Sequence, residues 1–158
     1  VKAPELATPD DIDQIFELTY LMWADMGYAN PDRSWEPGAR AELTRQIASG
    51  MSAAFVIRDP RDSTRLLASG IAMIHQRLPQ WWCPTGRIGH VCWMSTRAEH
   101  RNKGFGAAVL QSILDWFVAN NTAIADLNAT ESGAGLYQKA GFEAPTYSLL
   151  RWHAPSVS

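Results

Sequence analysis

Cysteine is scarce in this chain: Cys83 and Cys92 are the two it has, with neither a C-x-x-C pair nor a Cys/His spacing that would hold zinc. A disulfide framework and a structural metal are therefore not expected, and both thiols read as reduced, at least one as a small buried hydrophobe. No apolar run approaches 18 residues, so no segment reads as a membrane span. No basic stretch followed by an apolar core marks a secretion signal, and a cytoplasmic location is expected. A formal net charge of −2 leaves no general basic face for nucleic acid. Internal repeats, low-complexity tracts and linkers are missing too, so residues 1–158 read as a single domain.

What is present has the balance of an ordinary globular protein, 46% hydrophobic and 19% charged. Residues 2–7 suit a short strand. Thr8-Pro9-Asp10-Asp11 caps a helix whose apolar face is Ile12, Ile15, Phe16, Thr19, Met22 and Trp23, ended by Gly27 and Asn30-Pro31. A second helix is expected near 38–49, closed by Gly50. Strands follow at 53–58 and 66–75 around the turn Asp59-Pro60-Arg61-Asp62, then a loop over 78–86 and a strand over 88–96. Phe105, Val109, Ile113, Trp116 and Phe117 recur at helical spacing up to about Asn120. A strand at 122–127 should run parallel to its predecessor through a right-handed crossover. A short helix over 132–140 stops at Gly141, and 142–152 reads as a last strand or pair. The fold class is α/β: one mixed sheet with helices on both faces.

The stretch Arg101-Asn102-Lys103-Gly104-Phe105-Gly106-Ala107-Ala108 lies between a strand and a helix. Glycines let a backbone approach an anion, and the first N–H groups of a helix have no internal acceptor, so this is a phosphate-binding arrangement. A Walker loop needs four residues between its glycines and then Lys-Ser/Thr, and a dinucleotide fingerprint needs a third glycine where Val109 stands. Arg97, Arg101 and Lys103 gather here, which suits one polyanionic cofactor. R-x-x-G-x-G-A remains, and it resembles the pyrophosphate loop of the GNAT superfamily of acyl-CoA-dependent N-acyltransferases. Asn128-Ala129-Thr130-Glu131-Ser132-Gly133-Ala134-Gly135-Leu136-Tyr137-Gln138-Lys139-Ala140-Gly141-Phe142, following Leu127, is similar to the L-x-A-T-x-x-G-x-x-L-Y-x-K-x-G-F ending of many members. The matched part runs from about Ile88 to Phe142.

The resemblance implies a GNAT-like fold and acetyl-CoA as acyl donor, with no metal. The pantetheine arm would pair with Met94, Ser95 and Thr96, a backbone N–H there polarising the thioester carbonyl. The pyrophosphate would sit on the amides of Arg101, Asn102, Lys103, Gly104, Phe105, Gly106 and Ala107; Arg101 and Lys103 would add charge, or be solvated loop residues. Ala98 stands where the family commonly has Pro. Asn128 is a second candidate for a pantetheine contact, and Glu131 replaces a common Asn. Tyr137 matches the tyrosine that protonates the departing thiolate, against the alternative of a plain core aromatic. Many relatives carry an acid near the position of Trp93, which leaves His75, His90, Asp25 and Glu36 as candidate bases, His90 first. Trp35, Trp81 and Trp82 are candidate acceptor-site residues, Trp81 and Trp82 alternatively a homodimer contact. The favoured activity is acetylation of a primary amine of a small molecule, by direct transfer through a tetrahedral intermediate. A protein or peptide acceptor and a non-catalytic acyl-CoA-binding module are the alternatives.

Overall fold

The computed structural model describes residues 2–155. Five strands form one sheet in the order β1-β2-β3-β4-β5: Glu5–Leu6, Ser52–Asp59, Asp62–Gln76, Arg87–Thr96 and Ile124–Leu127. The first four pair antiparallel and β5 pairs parallel to β4. Helices α1 (Ile12–Asp25) and α2 (Glu36–Ala48) pack on one face and α3 (Phe105–Ala119) on the other, with α4 (Ala134–Lys139) after β5. The mixed sheet and its helices thus follow the order the sequence predicts.

Alternation divides the core in two. Phe55, Ile57, Leu67, Val91, Val109, Leu110, Ile113 and Phe117 gather under α3, while Ile15, Phe16, Leu18, Val56, Leu66 and Ile71 gather under α1 and α2. Phe16, Ile113 and Phe117 are almost fully buried, each worth roughly 1.5–3 kcal/mol of transfer free energy. Asp11 ties α1 to the sheet: its carboxylate accepts from the Thr8 N–H at 2.7 Å and from Arg58 of β2 at 2.6 Å. Burial alone would raise its pKa, but the hydrogen bonds from Arg58 and Thr8 outweigh that and hold it below the ordinary value.

The C-terminal expectation is corrected. No strand follows β5 among the described residues, and 142–155 run without ladder pairing. Pro145 has no N–H to give a ladder. The apolar phase also slips: Tyr147 and Leu149 fall on one side of an extended chain, Leu150 and Trp152 on the other, so no register buries all four on one face. All four are more than three-quarters exposed.

Candidate active site

β4 has two different edges. Toward β3 it is paired to its last residue, Ala68 opposite Thr96; toward β5 the pairing covers Ile88 to Val91 and ends at Leu127. Beyond that point the strands part, and residues 92–96 turn an unpaired backbone edge into the notch.

A bulge shapes this edge. Between the pairs Ile71–Cys92 and Ser69–Ser95, β3 advances two residues and β4 three. Trp93 takes up the extra residue at φ +51°, where a bulky side chain is strained. Cys92 and Trp93 therefore both lie on the α1/α2 face, Met94 crosses to α3, and the Ser95 hydroxyl donates to the Leu18 carbonyl at 2.8 Å. Gly70 sits opposite: a Cβ there would overlap Met94 Sδ and come within 3.0 Å of Val109 and Ile113.

The glycine turn closes the notch from the α3 side. Asn102 (φ +58°) and Gly104 (φ +82°) take the left-handed conformation, and α3 begins at Phe105. Among the described residues the amides from Asn102 to Ala107 find no backbone acceptor, the first helical bond running from Ala108 N–H to the Gly104 carbonyl. A Cβ built on Gly106 would lie 3.5 Å from Leu136 Cδ2 and 3.8 Å from Thr96 Oγ1. The end of β4, the start of α3 and the start of α4 thus converge, and Tyr137 follows Leu136 directly. Tyr137 packs edge-on against Phe142 at 6.0 Å between centroids, and burial pushes its pKa up, so it stays protonated. Asn128 follows the last paired residue of β5, at the rim of the notch.

The basic trio separates. Arg97 is turned inward, donating to the Leu66 carbonyl at 2.7 Å and pairing with Glu17 at 2.8 Å. Arg101 donates to the Thr96 carbonyl at 3.1 Å and pairs with Asp25 at the end of α1; Lys103 donates to the Glu99 carbonyl at 2.8 Å. Asp25, Met26 and Tyr28 face Thr130, Glu131 and Ser132 across a cavity of about 600 Å³. A second cavity, about 430 Å³, lies between α1, the α1–α2 loop and the start of α2.

The structure sorts the candidate bases. Asp25 is taken by Arg101. Glu36 accepts from the Tyr20 hydroxyl at 2.7 Å and pairs with Arg40 at 2.7 Å, hydrogen bonds that hold its carboxyl below the ordinary value and weaken it as a base. His75 is exposed. His90 lies on the α1/α2 face one residue before the strands part, its Nδ1 2.6 Å from Asp126. Asp126 went unremarked in the sequence, since only the parallel register places it opposite His90.

The tryptophans also divide. Trp35 packs with Phe16, Tyr20, Trp23 and Trp93 in a cluster with centroids 5.1–6.2 Å apart, against the bulge. Trp81, 92% exposed, and Trp82 lie in the β3–β4 loop at the start of β4, roughly 20 Å of strand from the bulge. The structure does not bring them to Trp35.

Residues 53–144 match the family model of the acetyltransferase (GNAT) domain, more than half of the chain. The chain belongs to the GNAT acetyltransferase family. No curated protein sequence matches it. Solved structures share the GNAT fold: a protein of Clostridium acetobutylicum described as a predicted acetyltransferase, with acetyl-CoA (18% identity, 94% of both chains, TM-score 0.84), and a GCN5-related N-acetyltransferase of Ralstonia eutropha (21%, 94% and 97%, 0.79). Glucosamine-6-phosphate N-acetyltransferase of Arabidopsis thaliana is a third (16%, 96% and 97%, 0.72). GNAT enzymes use acetyl-CoA as cosubstrate, and the residues here fit it: an open strand edge for an extended amide-bearing arm, and unpaired amides at a helix start for a diphosphate.

Proposed function

We propose that the protein is an N-acetyltransferase that moves the acetyl group of acetyl-CoA to a primary amine of a small molecule. The convergence at Gly106 supports this reading: the end of β4, the free amides at the start of α3 and the start of α4, which carries Tyr137, meet there. In this reading the backbone of Met94, Ser95 and Thr96 holds the pantetheine arm, joined by Asn128. The amides from Asn102 to Ala107 hold the diphosphate; the Arg101 N–H is taken by the Ala98 carbonyl, so Arg101, like Lys103, contributes charge.

Transfer is direct. Cys92 is the thiol nearest the notch, and burial pushes its pKa up to about 12, so it offers no thiolate for an acyl-enzyme. His90 takes the proton of the acceptor ammonium, the freed amine attacks, and Tyr137 lends its proton to the departing sulfur. Trp35 walls the acceptor side. Trp81 and Trp82 read as a contact for a second copy, and a reduced, cytoplasmic setting suits two free cysteines.

Trp93, at the position where many relatives carry an acid, favours one rival: an acyl-CoA-binding module without chemistry. Thiol release from acetyl-CoA is the test, run with arylalkylamines, polyamines, amino sugars and peptides. Release with a small amine and not with peptides is expected. Release with peptides alone would make it a protein acetyltransferase. Tight acetyl-CoA binding without release in any arm would make it a binding module.

A further inference from the structure

We infer that Asp126 is a positioning residue that aims His90 at the acceptor amine. The inference rests on the reading of His90 as the base and adds what makes His90 fit for it. In the parallel register His90 stands opposite Asp126, one pair before the last. Gly89 and Val91 meet α3, so His90 points to the other face, the one that carries Cys92 and Trp93 at the bulge. Asp126 Oδ1 lies 2.6 Å from His90 Nδ1. A carboxylate can only accept, so Nδ1 carries the hydrogen and the free lone pair is left on Nε2.

The other oxygen of Asp126 faces the Arg77 guanidinium, 3.9 Å from Oδ2. The His75 ring lies diagonally across at 6.1 Å between centroids, so His75, His90 and Asp126 form a row over β3, β4 and β5. Among the described residues, Asp126, His75 and Arg77 are the ionisable side chains seen to face His90 or its partner. The plainer account is a cross-strand surface pair. Asp126 is about half exposed, and a pair of that kind contributes little to stability, so its loss would leave both fold and rate alone.

The positioning account predicts otherwise. The acceptor ammonium gives one proton to His90 Nε2, and the imidazolium so formed is stabilised by the Asp126 carboxylate. As nitrogen bonds to the acetyl carbon and the C–S bond breaks, the amine's second surplus proton leaves to solvent and the sulfur takes one from Tyr137. Tyr137 is reprotonated from solvent, and His90 releases its proton there, so one proton is lost per turnover. Without Asp126 the ring is free to turn and to take the other tautomer.

The test uses His90→Ala, Asp126→Asn and the double variant in the whole chain, with the panel amine that wild type turns over fastest. His90→Ala should lower kcat/KM roughly 10²–10⁴-fold. Asp126→Asn should lower it at least about 10-fold, since a carboxylate no longer fixes the ring's tautomer or stabilises the imidazolium. Acetyl-CoA affinity should stay within about twofold, and the double variant should be no slower than His90→Ala. Ring nitrogen NMR of unliganded wild type should show the Nδ1–H tautomer for His90. A wild-type rate in His90→Ala removes the base reading, and this inference with it. A slow His90→Ala beside an Asp126→Asn of unchanged rate removes the role of Asp126 alone, as does an Nε2–H tautomer in wild type.

Discussion

The two faces of the sheet recognise by different means. Under α3, Val, Leu, Ile and Phe side chains at regular spacing bury one another, and the groups left for a ligand belong to the backbone: the β4 edge and the amides of the glycine turn. Under α1 and α2, aromatic rings crowd against the bulge, and ion pairs such as Asp11–Arg58 and Arg40–Asp13 span elements. The groups left free there are side chains, His90 among them. A backbone site depends on where glycine is and on spacing, so it tolerates wide change in side chains. A side-chain site depends on pairs that meet only after folding, so it can be retuned one residue at a time.

The two faces should therefore fail differently. The largest effect is expected at Tyr137, which packs on the α3 side. Tyr137→Phe keeps the ring against Phe142 and should lower kcat about 10²–10⁴-fold with acetyl-CoA affinity unchanged. Near wild-type kcat, with chemistry rate-limiting, would assign thiolate protonation to water.

Gly106→Val probes the backbone side. A Cβ at 106 makes only ordinary contacts with Leu136 and Thr96, so the fold should survive. The added bulk should weaken acetyl-CoA binding about 10–100-fold, the loss of roughly 1.4–2.8 kcal/mol of backbone contact. Unchanged affinity by calorimetry would move the diphosphate elsewhere.

Asp11→Asn probes the side-chain face through stability. The folded pKa of Asp11 is depressed, so its contribution is present above the unfolded value and lost as pH falls through the lower folded value. Urea unfolding at pH 7 should show a loss of roughly 1–3 kcal/mol, shrinking toward pH 3. An equal loss at both pH values would trace it to packing. The smallest effect is expected from replacing Trp81 and Trp82 with Ala, which should leave acetyl-CoA affinity and kcat within about twofold. A halved mass in solution is expected of a contact between copies, and a marked rise in acceptor KM would bring that loop back to the site.

Legibility followed the same division. The glycine turn, the helix after it and the Leu136-Tyr137 motif could be read in advance because each is a local pattern: positive φ wants glycine, and a buried helix repeats every three or four residues. The C-terminal strand could not, since apolar content invites strand assignment while the slip between Leu149 and Leu150 and the missing N–H of Pro145 deny it a register. Asp126, and the pairing that takes up Asp25, were invisible for another reason. Each aspartate finds its partner, His90 or Arg101, across 36 and 76 residues of chain. Gly70 carried a signal that is plain in retrospect, a glycine inside a strand pattern, which points to a bulge or a close approach.

That bulge has a consequence for how this site could be lost. Along a strand every residue's side is set by counting in twos, and Trp93 adds one to the count. Cys92 and Ser95, three residues apart, share a side only because the bulge absorbs one step. Removing a single residue anywhere from Cys92 to Met94 would leave Ser95 and Thr96 on their present sides, opposite Ser69 and Ala68, and erase the bulge itself. No single substitution can do this. The notch is specified by the length of chain between Val91 and Ser95 as much as by the letters that fill it, so across related sequences a one-residue gap here would say more about lost activity than any replacement of the tryptophan.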